Sequence, residues 1–215
     1  MAMKGLLRLA HTVVLFCVIA LTGCKTPPPP QPPLANSGSP EIDVLVSYLV
    51  QMNQPTKRHK AVVPELTDPF VARRSASYRR DYAAELLSMT TAVVSEDLIR
   101  DFCEKNSSTN RILIPGDLTN HVAVLLFSGD ELGRLFAGGM GAKPDGWDKF
   151  YRKFPGAAGI THFSRVGFNK AGDKAMVYAH TTLHWLAGSG RVFVFEKRDD
   201  RWLILPVYWG PQTYN

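Results

Sequence analysis

The chain is short of cysteine, with three in 215 residues. That excludes a disulfide-built scaffold. It also lacks a long hydrophobic run. The longest, Val13 to Leu21, is nine residues, against the roughly 20 needed to cross a bilayer, so a polytopic membrane protein is excluded. Catalytic signatures are missing too: there is no G-x-S-x-G, S-x-x-K, H-E-x-x-H or C-x-x-C. What remains is 45% hydrophobic, 20% charged and 10% aromatic, which excludes wholesale disorder and collagen-like repeats.

The start of the chain reads as an export address. Lys4 and Arg8 precede the apolar run, whose length suits a signal-peptide core. The run ends at Leu21-Thr22-Gly23-Cys24. These residues resemble the lipobox of bacterial lipoprotein precursors: leucine, two small residues, cysteine. The resemblance implies that the Cys24 thiol forms a thioether to diacylglycerol. It also implies cleavage between Gly23 and Cys24, and acylation of the freed Cys24 amine by a palmitate-type chain. In such lipoproteins an aspartate after the cysteine retains the protein at the inner membrane. Lys25 departs from that signal, so the expected place is the cell envelope, at the outer membrane facing the periplasm in a cell with two membranes. Each buried methylene contributes about 0.8 kcal/mol, and several chains together give stable attachment where one does not.

Residues 24–40 then form the expected tether. Lys25 to Pro40 holds seven of the fifteen prolines. Such a stretch favours extended polyproline II and reaches at most about 50 Å. A proline-recognition ligand is the sharper alternative to a plain spacer.

Removing Lys4 and Arg8 from 25 basic residues leaves 23 against 19 acids, a net +4. That does not imply nucleic acid, and none is expected. The excess is local: Lys57, Arg58, Lys60, Arg73, Arg74, Arg79 and Arg80 face only Glu65 and Asp68. In an envelope protein these are candidate contacts for anionic lipid, lipopolysaccharide or cell-wall polymer; a solvated basic surface is the plainer reading. Cys17 leaves with the signal and Cys24 is lipidated, so Cys103 has no internal cysteine to pair with. It reads as a buried, inert residue of a helix over Ser95–Asn106.

Residues 41–215 suffice for one domain. Ile42, Leu45, Val46, Leu49 and Val50 give a helical stripe behind Ser39-Pro40-Glu41. Residues 54–75 read as irregular, 76–92 as a second helix, Asp130–Phe136 as a short one. Ile112–Pro115 and His121–Phe127 are ambiguous, with a leaning to strand. Gly138 to Pro144 only superficially resembles a phosphate loop, because Pro144 stands where Ser or Thr would reach magnesium. Trp147, Phe150, Tyr151 and Phe154 form an aromatic helix face, read as core. Four runs, Ile160–Asn169, Lys174–Leu186, Arg191–Arg198 and Arg201–Trp209, are separated by turn residues. The expected fold is α+β: N-terminal helices, then a four-stranded antiparallel meander. The last part loosely resembles cone-shaped domains of the nuclear-transport-factor-2 kind.

His162, His180 and His184 are the only histidine cluster. A hairpin around Ala171 would set His162 opposite His180 at about 5 Å. His184, four residues further along a strand, would lie about 13 Å from His180. Neither a metal nor a cofactor is expected, because no carboxylate or cysteine is placed to complete a set. Two functional readings stand. One is a lipid-anchored, non-enzymatic envelope protein with a binding or structural role. The other is an envelope hydrolase assembled around His162, His180 or His184, with Ser164 two residues after His162.

Overall fold

The computed structural model describes residues 37–52, 59–69, 82–88, 91–112, 114, 122–137, 140, 145–206 and 212–214. Helix α1, Pro40–Met52, begins where the sequence places it. Pro40 tolerates the first helical position because its missing N–H has no partner there anyway. The Ser39 carbonyl accepts from the Asp43 N–H at 3.0 Å, and the Ser37 N–H donates to Asp43 Oδ1 at 2.9 Å. Val44 to Val50 are all buried.

The other helices are α2 (Tyr82–Ser88), α3 (Glu96–Lys105), α4 (Gly129–Leu135) and α5 (Asp145–Lys153). The strands are β1 (His59–Pro64), β2 (Val122–Phe127), β3 (Ala157–Phe163), β4 (Gly167–Phe168), β5 (Lys174–His184), β6 (Ala187–Arg198), β7 (Arg201–Ile204) and β8 (Gln212–Tyr214). They form one curled sheet, a half-barrel, in the order β2-β1-β3-β5-β6-β7, with β4 beside β5 and β8 beside β6.

This corrects the expected fold. The sheet is mixed: β1 pairs in parallel with both β2 and β3, whereas β3, β5, β6 and β7 are antiparallel neighbours. A four-stranded antiparallel meander behind N-terminal helices does not describe it, nor does the cone-shaped likeness. The physical reason is the nature of β1. Its Ala61, Val62 and Val63 are buried on both faces, so the strand shows a short apolar run instead of alternation. Parallel strands also need long crossovers and leave no hairpin turn to read. From sequence alone the run is therefore indistinguishable from an irregular basic stretch.

Side-chain alternation gives each face its own cover. On one face α1 packs against Ala61, Val63, Phe163, Val177, Phe193 and Phe195. On the other, α2 and α3 cover Met176, Tyr178, Val192 and Val194, and α4 and α5 cover Val62, Phe127 and Ile160. The β6–β7 turn has Asp199 and Asp200 at φ 47° and 56°, the pair of left-handed residues a two-residue hairpin requires.

The run expected over Ile160–Asn169 is broken at Ser164–Val166, and that junction is heavily tied. Asn106 Oδ1 accepts from the Arg165 N–H at 2.7 Å, and its Nδ2 donates to the Arg165 carbonyl at 2.9 Å. Glu41, in the first turn of α1, accepts from Arg165 Nε at 2.6 Å, from its guanidinium Nη2 at 2.9 Å and from the Val166 N–H at 2.9 Å. The start of α1 is thus fixed to the β3–β4 junction.

Candidate functional site

Gly23, Cys24, Lys57, Arg58, Arg73, Arg74, Arg79, Arg80 and, of the Gly-rich loop, residues 138, 139 and 141–144 lie outside the described residues. Lys60 does not stand on an irregular loop. It belongs to β1, half-buried, in register with Ala123 and Ala157. The two acids of the basic stretch are also engaged in the fold: Glu65 pairs with Arg111 at 3.0 Å, and Asp68 is buried with its N–H donating to the Phe163 carbonyl at 2.7 Å. Cys103 is half-buried against the α2–α3 core.

Two of the three histidines come together. His162 stands directly opposite His180 across β3 and β5, with ring centroids 6.3 Å apart. Tyr178 stacks almost parallel to His180, 6.4 Å between centroids. His184 is exposed at the end of β5, past an irregularity in the β5–β6 register, and neighbours Trp147 at 6.4 Å and Trp185 at 5.9 Å. Among the described residues no group of three His, Cys, Asp or Glu side chains is placed to hold a metal.

Ser164 is fully buried, and its hydroxyl works in the backbone. The oxygen accepts from the Tyr178 N–H at 2.9 Å, and the hydroxyl donates to the Arg165 carbonyl at 2.9 Å. A nucleophile needs its proton directed at a base; this proton closes the β3–β4 junction instead.

A surface depression of about 650 Å³ runs beside α3 and is lined by Glu96, Asp97, Arg100, Asp101, Glu104, Lys105 and Phe168 to Lys170. Its charges largely satisfy one another. Arg100 pairs with Glu96 at 2.6 Å and Lys105 with Asp101 at 2.8 Å. Asp97 accepts from the Lys170 N–H at 2.8 Å, and the nearby Ser95 side chain and then the Lys170 N–H hold its carboxyl below the ordinary range. This is a solvated helix face.

A smaller pocket, about 320 Å³, opens between the end of α1 and the β5–β6 ribbon. Its lining includes Tyr48, Met52, Ala179, Thr181, Arg191 and Phe193. Tyr48 is buried and meets Phe163 and Phe193 edge-on, at 5.1 and 4.9 Å. Arg191 lies over the Phe193 ring, 4.7 Å from its centre. Thr161 Oγ1 stands 3.0 Å from Thr181 Oγ1 across the β3–β5 ladder, and the Thr181 side chain lies near the Tyr48 hydroxyl. Burial pushes the Tyr48 phenol up to about 12, against the smaller downward pulls of Thr181 and Arg191.

That shift has a checkable sign. Below pH 10 both folded and unfolded states keep the Tyr48 proton. Between pH 10 and about 12 the unfolded state loses it first, so stability falls as pH rises, by about 3 kcal/mol over that interval. Tyr48→Phe should flatten this part of the alkaline decline relative to wild type. Denaturation midpoints compared at about pH 9 and about pH 11.5 read the difference.

The sequence reading did not single out this pocket. Its signals are spread over four elements: a tyrosine beside the α1 stripe, two threonines on β3 and β5 that face each other only once the hairpin is drawn, and an arginine opening the apolar run Val192–Phe195. Among the described residues no helix is long and apolar enough to cross a membrane. Comparison with known protein families, with curated proteins and with solved structures finds no match, so the chain's own residues carry the functional argument.

Proposed function

We propose that this protein is a lipid-anchored lipoprotein of the bacterial cell envelope, held through Cys24, whose folded domain has a non-enzymatic binding or structural role. The observation that carries the reading is the coincidence of basic start, nine-residue apolar core and Leu21-Thr22-Gly23-Cys24 at the right spacing. Two structural facts support it. The domain begins at once after the proline-rich stretch, with α1 fixed by Glu41 to the β3–β4 junction. Ser164, the serine nearest the histidine pair in sequence, has its hydroxyl committed to the backbone, which weakens the hydrolase alternative. Anionic lipid, lipopolysaccharide or cell-wall polymer remain the partners proposed for the basic residues.

The test is metabolic palmitate labelling of the full chain expressed in a bacterium, with membrane fractionation. Wild type should carry label, sediment with membranes and begin at an acylated Cys24. Cys24→Ala should lose both label and membrane attachment. Unlabelled wild type, or a mutant that stays equally membrane-bound, overturns the anchor.

A further inference from the structure

Four large hydrophobic side chains stand exposed among the described residues: Met52, Leu66, Leu183 and Leu186. Scattered singly, such residues mean little, but three of these four gather at one end of the sheet. Leu183 and Leu186, 46% and 64% exposed, flank the β5–β6 turn. Met52 ends α1 beside Thr181 and Ser189 of the same ribbon. Leu183 points to the Thr181 face of β5, beyond the last residue of α1, so this helix stops short of covering it. Trp185, in the turn, is half-buried against the α4–α5 cluster. The Tyr151 hydroxyl of α5 donates to the Leu183 carbonyl at 2.6 Å, which fixes the tip against that helix. Charge divides along the ribbon. Ala175 to Phe195 contains no Asp or Glu, and the acids Asp173, Glu196, Asp199 and Asp200 belong to its other end. Helix α5, beside the tip, carries three bases and two acids. Strand β1 also starts at the tip end, where Lys60 pairs with Ala157 at the start of β3.

We propose that this end of the sheet seats on the lipid leaflet that holds Cys24, with Leu183 and Leu186 at the acyl boundary and Trp185 at the headgroup level. The proposal rests on the anchor reading above and adds which face the domain turns to the membrane. Leucine beside tryptophan is the pairing a lipid interface takes up, and an acid-free turn meets no repulsion from anionic headgroups. Three side chains are too few for a protein interface of about 800 Å² a side. They suffice for a leaflet, because a covalent anchor already holds the domain at high local concentration beside it. The tether is long enough. Glu41 fixes the start of α1 to the Val166 amide, and Gly167 stands opposite Met176. His184 lies eight residues further along β5, about 26 Å at roughly 3.3 Å each. Residues 25–40 reach at most about 50 Å, so the tip and Cys24 fit in one plane.

The experiment reconstitutes the palmitate-labelled full chain into vesicles of phosphatidylethanolamine and phosphatidylglycerol with brominated acyl chains, which quench tryptophan on contact. Wild-type emission should fall, and Trp185→Phe, which keeps a ring in the turn, should remove most of that quenching. Leu186→Ser should lower the ratio of docked to undocked domain by about tenfold, the scale of withdrawing one leucine side chain from lipid, with the palmitate label unchanged. Leu66→Ser, past the opposite end of β1, should be quenched as wild type is. A labelled chain whose Trp185 emission ignores brominated lipid overturns the docking, leaves the anchor standing and gives the tip to a protein partner. Equal quenching in Leu186→Ser and wild type also overturns the docking. A chain that carries no label overturns the anchor and the docking together.

Discussion

Gly167→Ala is expected to destabilise the protein by about 3 kcal/mol or more, at the upper end of what overpacking does. A Cβ on Gly167 would stand 2.6 Å from the Cα of Phe102 and 2.7 Å from its backbone N. Neither neighbour is the tip of a flexible side chain. Helix α3 would have to lift from β4, and Phe102, fully buried in the core, would move with it. Domains of this size lose about 2–4 °C per kcal/mol, so thermal unfolding should fall by about 6–12 °C. Gly133→Ala, in α4 with nothing within 4 Å of the added carbon, should be neutral or stabilise by about 0.5–1 kcal/mol. Equal midpoints for the two variants would mean that the α3–β4 contact is not as close as described.

Trp147→Ala should cost about 3–5 kcal/mol, the range for emptying a large aromatic site. Trp147 is 1% exposed. It meets Phe136 at 5.0 Å and Phe150 at 5.5 Å, and its Nε1–H donates to the Met140 carbonyl at 3.0 Å. The loss should appear as an earlier denaturant midpoint and a weakened near-ultraviolet aromatic signal. Hydrogen exchange should accelerate most in α5 and α4, which close over this cluster. A variant as stable as wild type would instead favour the aromatic face as a ligand platform.

These two sites differ in how far the sequence announced them. The aromatic face of α5 was plain from spacing alone, because Trp147, Phe150, Tyr151 and Phe154 recur at helical intervals and Pro155 ends the run. The same held for α1, α3 and α4, and for the β6–β7 turn at Asp199-Asp200. Gly167 announced nothing, because its role depends on a helix more than sixty residues earlier in the chain. The strands missed were those whose partners lie far away. β2 is ambiguous in the sequence, and β1 is invisible there because a doubly buried parallel strand has no alternation and no adjacent turn. Losing β1 turned a mixed half-barrel into a meander. It also left Lys60 among loop cations, when it stands in the sheet.

The histidines show the same limit. Pairing of His162 with His180 follows from the hairpin, and the distance of His184 follows from strand rise. That Ser164 is tied into the backbone could not be read, because the tie depends on the break between β3 and β4. The Tyr48 pocket needs α1, β5 and β6 together, and only packing brings them to one place.

The Glu41 contacts also set a load path. Tension applied to the chain from its N-terminal side enters at Pro40 and meets, one residue later, a two-pronged grip on Arg165 plus a bond to the Val166 amide. These bonds must yield together before the first helix can be drawn off its bed. Force is delivered to the β3–β4 junction, inside the sheet, instead of to its edge strand β7.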